Sequence, residues 1–304
     1  MKKINSLGLL LIMILFMVVS GCKKEAEIKI IVPEGMPYIA IGGMIGKKNV
    51  TVDVVSGSSA LKAAFVSKEY DIIVAPFNLG VQLYNKKQSS YKVDGIIGLN
   101  NLYIISQPEF ELKTLADIKK SDKPLLAFGQ GSTPAIMLNE VLALNGIQHE
   151  VEYMNSVNDV MPFFVSKNYD VVLTSEPILT IMKKNKGLEF NSINLQKYID
   201  IPIIQVAVFA NGDEARNSRL TKVLTQVREC VAENTKDPLK YAEELVDKDD
   251  YFAEIGSKTL SECSQNGNIK FIKATNYRIE INKYLTTIGY ETPDDFFYRK
   301  WTKK

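Results

Sequence analysis

Apolar residues run along this chain in short blocks, punctuated by Gly, Pro and Ser, with strand-like and helix-like periods alternating. Glu27 to Val32 reads as a strand that stops at Pro33-Glu34-Gly35-Met36-Pro37, a cluster that breaks regular structure. Tyr38 to Lys47 follows as a short helix, weakened by Gly42 and Gly43. Val50 to Val55, where Thr51 and Asp53 alternate with valines, is a second strand. Ser56-Gly57-Ser58-Ser59 then opens a helix over Ala60 to Phe65, with serine as the expected N-cap. Asp71 to Val74 is a short apolar run without alternation, as a parallel strand covered on both faces should be. Ala75 to Asn78 closes it before a helix over Leu79 to Asn85, giving a βαβαβ unit.

The same grammar returns. Phe65-Val66-Ser67-Lys68-Glu69-Tyr70-Asp71-Ile72-Ile73-Val74 recurs 99 residues later as Phe164-Val165-Ser166-Lys167-Asn168-Tyr169-Asp170-Val171-Val172-Leu173, with six identities in ten. A period this long implies two related supersecondary units, not a solenoid. Between the copies come strands over Tyr91 to Leu99 and Leu102 to Ser106, a crossing at Gln107-Pro108-Glu109, and a short helix from Thr114. The second unit has strand Pro124 to Phe128, the loop Gly129-Gln130-Gly131-Ser132-Thr133-Pro134, and helix Ala135 to Asn145. Ser132 or Thr133 is the expected cap and Pro134 the first helical residue. Strand Glu150 to Met154, helix Asn158 to Ser166, the repeat strand, Ser175-Glu176-Pro177 and helix Ile178 to Lys186 complete it. Ile203 to Ala210 is a return strand, and helical periodicity dominates from Arg216 onward: Arg216 to Asn234, Pro238 to Val246, Ser257 to Cys263 and Lys273 to Leu285.

The N-terminus changes the picture. Met1-Lys2-Lys3 precedes an apolar run from Leu7 to Val19, shorter than the roughly 20 residues that span a bilayer as a helix. This is the form of a secretory signal. Val19-Ser20-Gly21-Cys22 resembles the lipobox of bacterial lipoproteins, which implies a signal peptide over 1–21, lipidation of Cys22 and a tether over 22–27. The 304 residues suit two domains of about 100 to 150 residues. Lys plus Arg number 37 against 35 for Asp plus Glu, and loss of Lys2 and Lys3 would equalise them. No basic excess or stripe remains for nucleic acid. Cys230 falls on the apolar face of a helix, and free thiols are the expectation for it and Cys263. With one histidine and no metal-ligand spacing, neither a metal nor any cofactor is expected.

The lipobox, the two related αβ lobes, the GQGSTP helix start and the return strand Gln205-Val206-Ala207-Val208-Phe209 together resemble one family. It is that of the extracytoplasmic substrate-binding proteins of ABC importers, in the cluster taking nitrate, sulfonates, taurine and the thiamin pyrimidine precursor. The resemblance implies an α/β, two-lobed, periplasmic-binding-protein-like type II fold, with two αβ sandwich lobes joined by two hinge strands. It assigns 28–104 plus 203–304 to the first lobe and 105–202 to the second. It also implies a monomer, anchored by lipid to the outer face of the cell membrane. Its partners would be a small-molecule solute and an ABC permease with its ATPase.

Parallel αβ sheets bind ligands beyond the carboxyl ends of their strands. The loops there supply the candidate site residues: Met36, Tyr38, Ser58, Ser59, Phe77, Asn78, Gln130, Ser132, Thr133, Ser175 and Glu176. Helix starts among them offer free N–H groups to a hydrogen-bond acceptor. Glu176 favours an amine or amino-heterocycle instead, or serves only as a helix-start residue. No Arg occurs in these loops, which disfavours bidentate recognition of an oxyanion and points to a neutral or amino-bearing organic solute. Gly129 to Thr133 lacks the lysine of a P-loop. His149 lies in a turn, so no Ser-His-Asp or metal constellation assembles and no enzymatic activity is expected. Enzymes on this fold, resembling pyrimidine synthases of thiamin biosynthesis or the menaquinone-pathway dehydratase, and a ligand-sensing lipoprotein remain the alternatives.

Overall fold

The computed structural model describes residues 27–212, 218–293 and 295–298. The signal peptide, Cys22 and the tether up to Ala26 lie outside the described residues. In chain order, the first part of the chain gives β1 (Ile28–Pro33), α1 (Met36–Ile41), β2 (Val50–Val55), α2 (Ser58–Ser67), β3 (Ile72–Pro76), α3 (Phe77–Asn85) and β4 (Lys92–Leu99). The middle gives β5 (Leu102–Ser106), β6 (Leu125–Phe128), α4 (Thr133–Leu144), β7 (Val151–Met154), α5 (Val157–Val165), β8 (Val171–Ser175), α6 (Ile178–Lys184) and β9 (Asn191–Asn194). The last part gives β10 (Ile204–Ala210), α7 (Ser218–Lys236), α8 (Pro238–Val246), α9 (Asp250–Ile255), α10 (Ser257–Asn266), β11 (Ile269–Lys273) and α11 (Arg278–Thr287).

Two sheets result. One has the strand order β11-β4-β10-β3-β1-β2 and the other β7-β6-β8-β5-β9. β1 runs parallel to β2 and β3, while β10 inserts antiparallel between β3 and β4. In the second sheet β6 is parallel to β7 and β8, and β5 is antiparallel to β8 and β9. Strand alternation sorts the first core: Ile31, Ile73 and Phe209 face α2 and α3, whereas Ile30, Ile72 and Val208 face α1 and the C-terminal helices. Both faces are therefore covered, as continuous apolar strands require.

The chain passes between the sheets twice, after Leu99 and before Ile204, and the two passages are tied to each other. Asn100 N–H donates to the Ile203 carbonyl at 3.0 Å, and Ile203 N–H donates to Asn100 Oδ1 at 2.7 Å. Next to them, Asn101 N–H donates to Gln205 Oε1 at 3.0 Å.

Several local expectations are corrected. The helix read over Tyr38 to Lys47 begins earlier and ends at Ile41, followed by a 3-10 turn at Gly42–Met44. A Cβ on Gly42 would lie 2.8 Å from Leu245 Cδ2, so the glycine permits α8 to approach rather than simply weakening a helix. Gly57, not a serine, caps α2; Ser58 and Ser59 are its first helical residues and no side chain caps it. Ser132 caps α4 by position, leaving Pro134 second in the helix. Strands β9 and β11 and helix α9 occupy stretches to which the sequence pattern assigned no element, and the helix expected from Lys273 starts at Arg278. Cys230 and Cys263 are separate buried thiols.

Candidate functional site

A cleft of about 920 Å³ opens between the two sheets, a volume in the range of small-molecule sites. Its walls are the carboxyl ends of β1, β3, β6, β7 and β8 and the loops that follow them. The passages between sheets contribute Asn101, Gln205 and Val206 to the lining, and α9 contributes Tyr251, Glu254 and Ile255.

Of the residues named from sequence, Met36, Ser58, Ser59 and Gln130 line this cleft, as do Ser132, Thr133, Ser175 and Glu176. Tyr38, Phe77 and Asn78 are buried and lie outside the lining. Tyr38 turns back into the first lobe, its ring centroid 4.5 Å from Phe252 and 5.5 Å from Tyr251. Phe77 joins an aromatic cluster with Phe209, Tyr284 and Phe296. The cleft at that strand end is lined by Pro76, one residue earlier, because α3 starts directly at Phe77 and turns the ring inward. Burial drives both rings this way: each removes more apolar surface in the core than it would in a half-open cleft.

Helix starts without a side-chain cap face the cleft from both lobes, among them α2 of the first lobe and α4 of the second. Their first N–H groups carry the positive end of the helix dipole, a setting for a hydrogen-bond acceptor. Gly129 and Gly131 adopt φ of +68° and +76°, which shapes the turn ahead of α4. The hydroxyls in that turn are already engaged: Ser132 Oγ donates to the Gly129 carbonyl, and Tyr284 of α11 donates to Thr133 Oγ1 at 3.4 Å. The start of α5, which also lines the cleft, is closed by a reciprocal Ser156–Asp159 capping box.

Glu176 is buried at the end of β8. Its oxygens accept hydrogen bonds from Thr180 N–H at 3.2 Å and Thr180 Oγ1 at 2.9 Å, so it does brace the start of α6. Burial pushes its carboxyl up to about 7; the Thr180 hydrogen bonds oppose this and Glu262 adds to it. Tyr251 is likewise pushed up to about 12, mainly by burial. Among the described residues no group of three His, Cys, Asp or Glu side chains is placed to hold a metal ion, and no helix is long and apolar enough to cross a membrane.

The lining residues not named from sequence include Tyr153 and Met154 at the end of β7, a strand end the candidate loops leave out, and others from segments distant in the chain. Gln205 did carry a signal, being polar within an otherwise apolar strand. Tyr251 and Glu254 carried none, since only the packing of α9 beside α1 brings them to the cleft.

No protein-family model matches the sequence, and no curated protein matches it. Solved structures do. A Parabacteroides distasonis protein described as an ABC transporter is 20% identical, with a TM-score of 0.72 over 91% of this chain and 100% of that one. The periplasmic aliphatic sulphonate binding protein SsuA of Escherichia coli is 12% identical, with a TM-score of 0.66 over 86% of this chain and 85% of that one. A Candida albicans gene product described as having the generic periplasmic binding protein structural fold is 13% identical, with a TM-score of 0.58 over 86% and 89% of the two chains. At such identities the likeness is one of fold, and together with the two sheets and their strand orders it establishes that this chain has the two-lobed, periplasmic-binding-protein-like α/β fold.

Proposed function

We propose that this protein is the extracytoplasmic solute-binding component of an ABC importer, held at the membrane by a lipid on Cys22. It captures a small organic solute between its lobes and delivers it to the permease. The observation that carries this reading is the cleft itself: about 920 Å³, reached by strand ends and uncapped helix starts from both lobes, and floored by two passages tied at Asn100. A ligand touching both walls stabilises the closed arrangement by its differential contacts, which is what drives lobe closure. The structural neighbours from Parabacteroides distasonis and Escherichia coli support the same reading through their own descriptions. In this reading 28–104 plus 203–304 and 105–202 are the units that move, and the lining serine and amide side chains orient the solute.

Native mass spectrometry of the purified protein, paired with solution scattering, tests it. A small-molecule adduct and a smaller radius of gyration on ligand addition are expected. An empty cleft against a host metabolite extract, with lyase or hydrolase activity in its place, would sink the proposal. Normal uptake of the identified solute in a deletion strain, with an altered gene response, would replace import by sensing.

A further inference from the structure

Among the described residues two acidic side chains are buried, Asp94 at 1% exposure and Glu176 at 3%. Their partners differ in kind. Asp94 has a guanidinium: Arg228 donates to its Oδ2 from Nη2 at 2.8 Å and from Nε at 3.2 Å. Among the described residues Glu176 has only neutral donors, both from Thr180, and no cationic side chain forms an ion pair with it. Removing a carboxylate from water is costly unless charge compensates it. Asp94 is compensated within the protein, and Glu176 lines a cleft open to solutes.

The rest of the lining agrees. Glu34 and Glu254 also face the cleft, and among the described residues no Lys, Arg or His lines it. Tyr153, Tyr251 and Phe128 add aromatic rings, which attract organic cations by their faces. Thr180 Oγ1, which donates to Glu176, itself accepts from Asn266 Nδ2 at 3.1 Å. Asn266 ends α10 of the first lobe and Thr180 lies in α6 of the second, so the hydrogen-bond chain that ends on the carboxylate starts across the cleft.

We propose that the cleft selects an organic cation carrying a protonated amine, amidine or guanidine, with Glu176 as its counter-ion and Thr180 and Asn266 as positioning residues. This rests on the solute-binding reading above. The groups facing Glu176 are Glu262 and Cys263 on α10 and Tyr103 on β5; the nearby Lys184 is engaged by Glu262 at 2.8 Å. Glu262, Cys263 and Tyr103 carry no positive charge, and the one on Lys184 is paired with Glu262. Binding a cation therefore requires the ionised carboxylate, and affinity falls towards about tenfold per pH unit below about 7.

Calorimetric titration and melting curves with benzylamine, benzamidine and agmatine, against benzenesulfonate and benzoate, at pH 6 to 8 provide the test, alongside the charge of any co-purified species. The organic cations raise the melting temperature, and Glu176→Gln weakens them by about tenfold or more and flattens the pH dependence. Glu176→Asp, which keeps the charge, retains the pH dependence. Asn266→Ala leaves the charge in place, weakens binding a few-fold and moves the pH midpoint upward. Preference for an anion, or a cation bound equally by Glu176→Gln, overturns the inference and leaves solute capture standing. No response to any probe together with an empty native mass spectrum overturns both.

Discussion

The two copies of the repeated stretch differ where they are free to differ. In each, a buried phenylalanine, Phe65 or Phe164, anchors the end of a helix, and a lysine with φ of +60°, Lys68 or Lys167, ends it. In each, a tyrosine hydroxyl just ahead of the strand donates to a carboxylate 17 residues earlier on the sheet's edge strand, one strand removed: Tyr70 to Asp53 on β2 and Tyr169 to Glu152 on β7. The copies part after the strand. Phe77 and Glu176 stand at matching positions, 99 residues apart, and both are buried. One completes the aromatic core of the first lobe and the other brings a carboxyl to the cleft. The shared letters encode scaffold, and the divergence just past the strand, at Phe77 against Glu176, encodes chemistry.

Breaking that contrast at Phe77 has the largest expected effect. Phe77→Ala empties the space among Phe209, Tyr284 and Phe296 and lowers stability by about 3 to 5 kcal/mol, measured by denaturant unfolding. Glu176 gives a smaller effect that depends on pH. The folded state keeps its proton up to about 7 and the unfolded chain releases it near the usual 4.5, so folding takes up a proton in between. Stability therefore falls by up to about 3 kcal/mol as pH rises through that window and then levels, and Glu176→Gln lacks the fall. Unfolding curves from pH 4.5 to 8 separate the two. Tyr70→Phe and Tyr169→Phe sharpen the similarity: each removes one hydrogen bond to a carboxylate and costs about 1 kcal/mol, nearly the same for both in thermal melts. Unequal losses would mean that the copies are not equivalent scaffolds. The smallest effect belongs to Val66→Ser and Val165→Ser, 54% and 51% exposed, which stay within about 0.5 kcal/mol.

Much of the fold is legible in the sequence because its strands are apolar runs bounded by Gly, Pro and Ser, and because the repeat announces a second unit. Strand β11 was hidden by composition: Ile269, Phe271 and Ile272 sit among lysines, an edge pattern that reads equally as helix or loop. The cleft is legible at most strand ends, at that of β3 to within one residue, while the end of β7 is left out. A strand end gives the position of a loop, but which side chain faces outward depends on where the next helix starts, and at Phe77 it starts immediately. Tyr251 and Gln205 are brought in by packing across more than a hundred residues of chain, which no local pattern encodes.

The paired passages at the floor of the cleft have a mechanical consequence. Asn100 closes two hydrogen bonds with Ile203, so neither strand can bend there without straining the other. Two independent pivots would allow the lobes to shear, twist and splay. Under the lobe closure proposed above, two pivots fused side by side would define one axis, and closing would be a turn through a single angle instead of a spread of shapes. A permease of the kind proposed would then need to sense only how far that angle has turned.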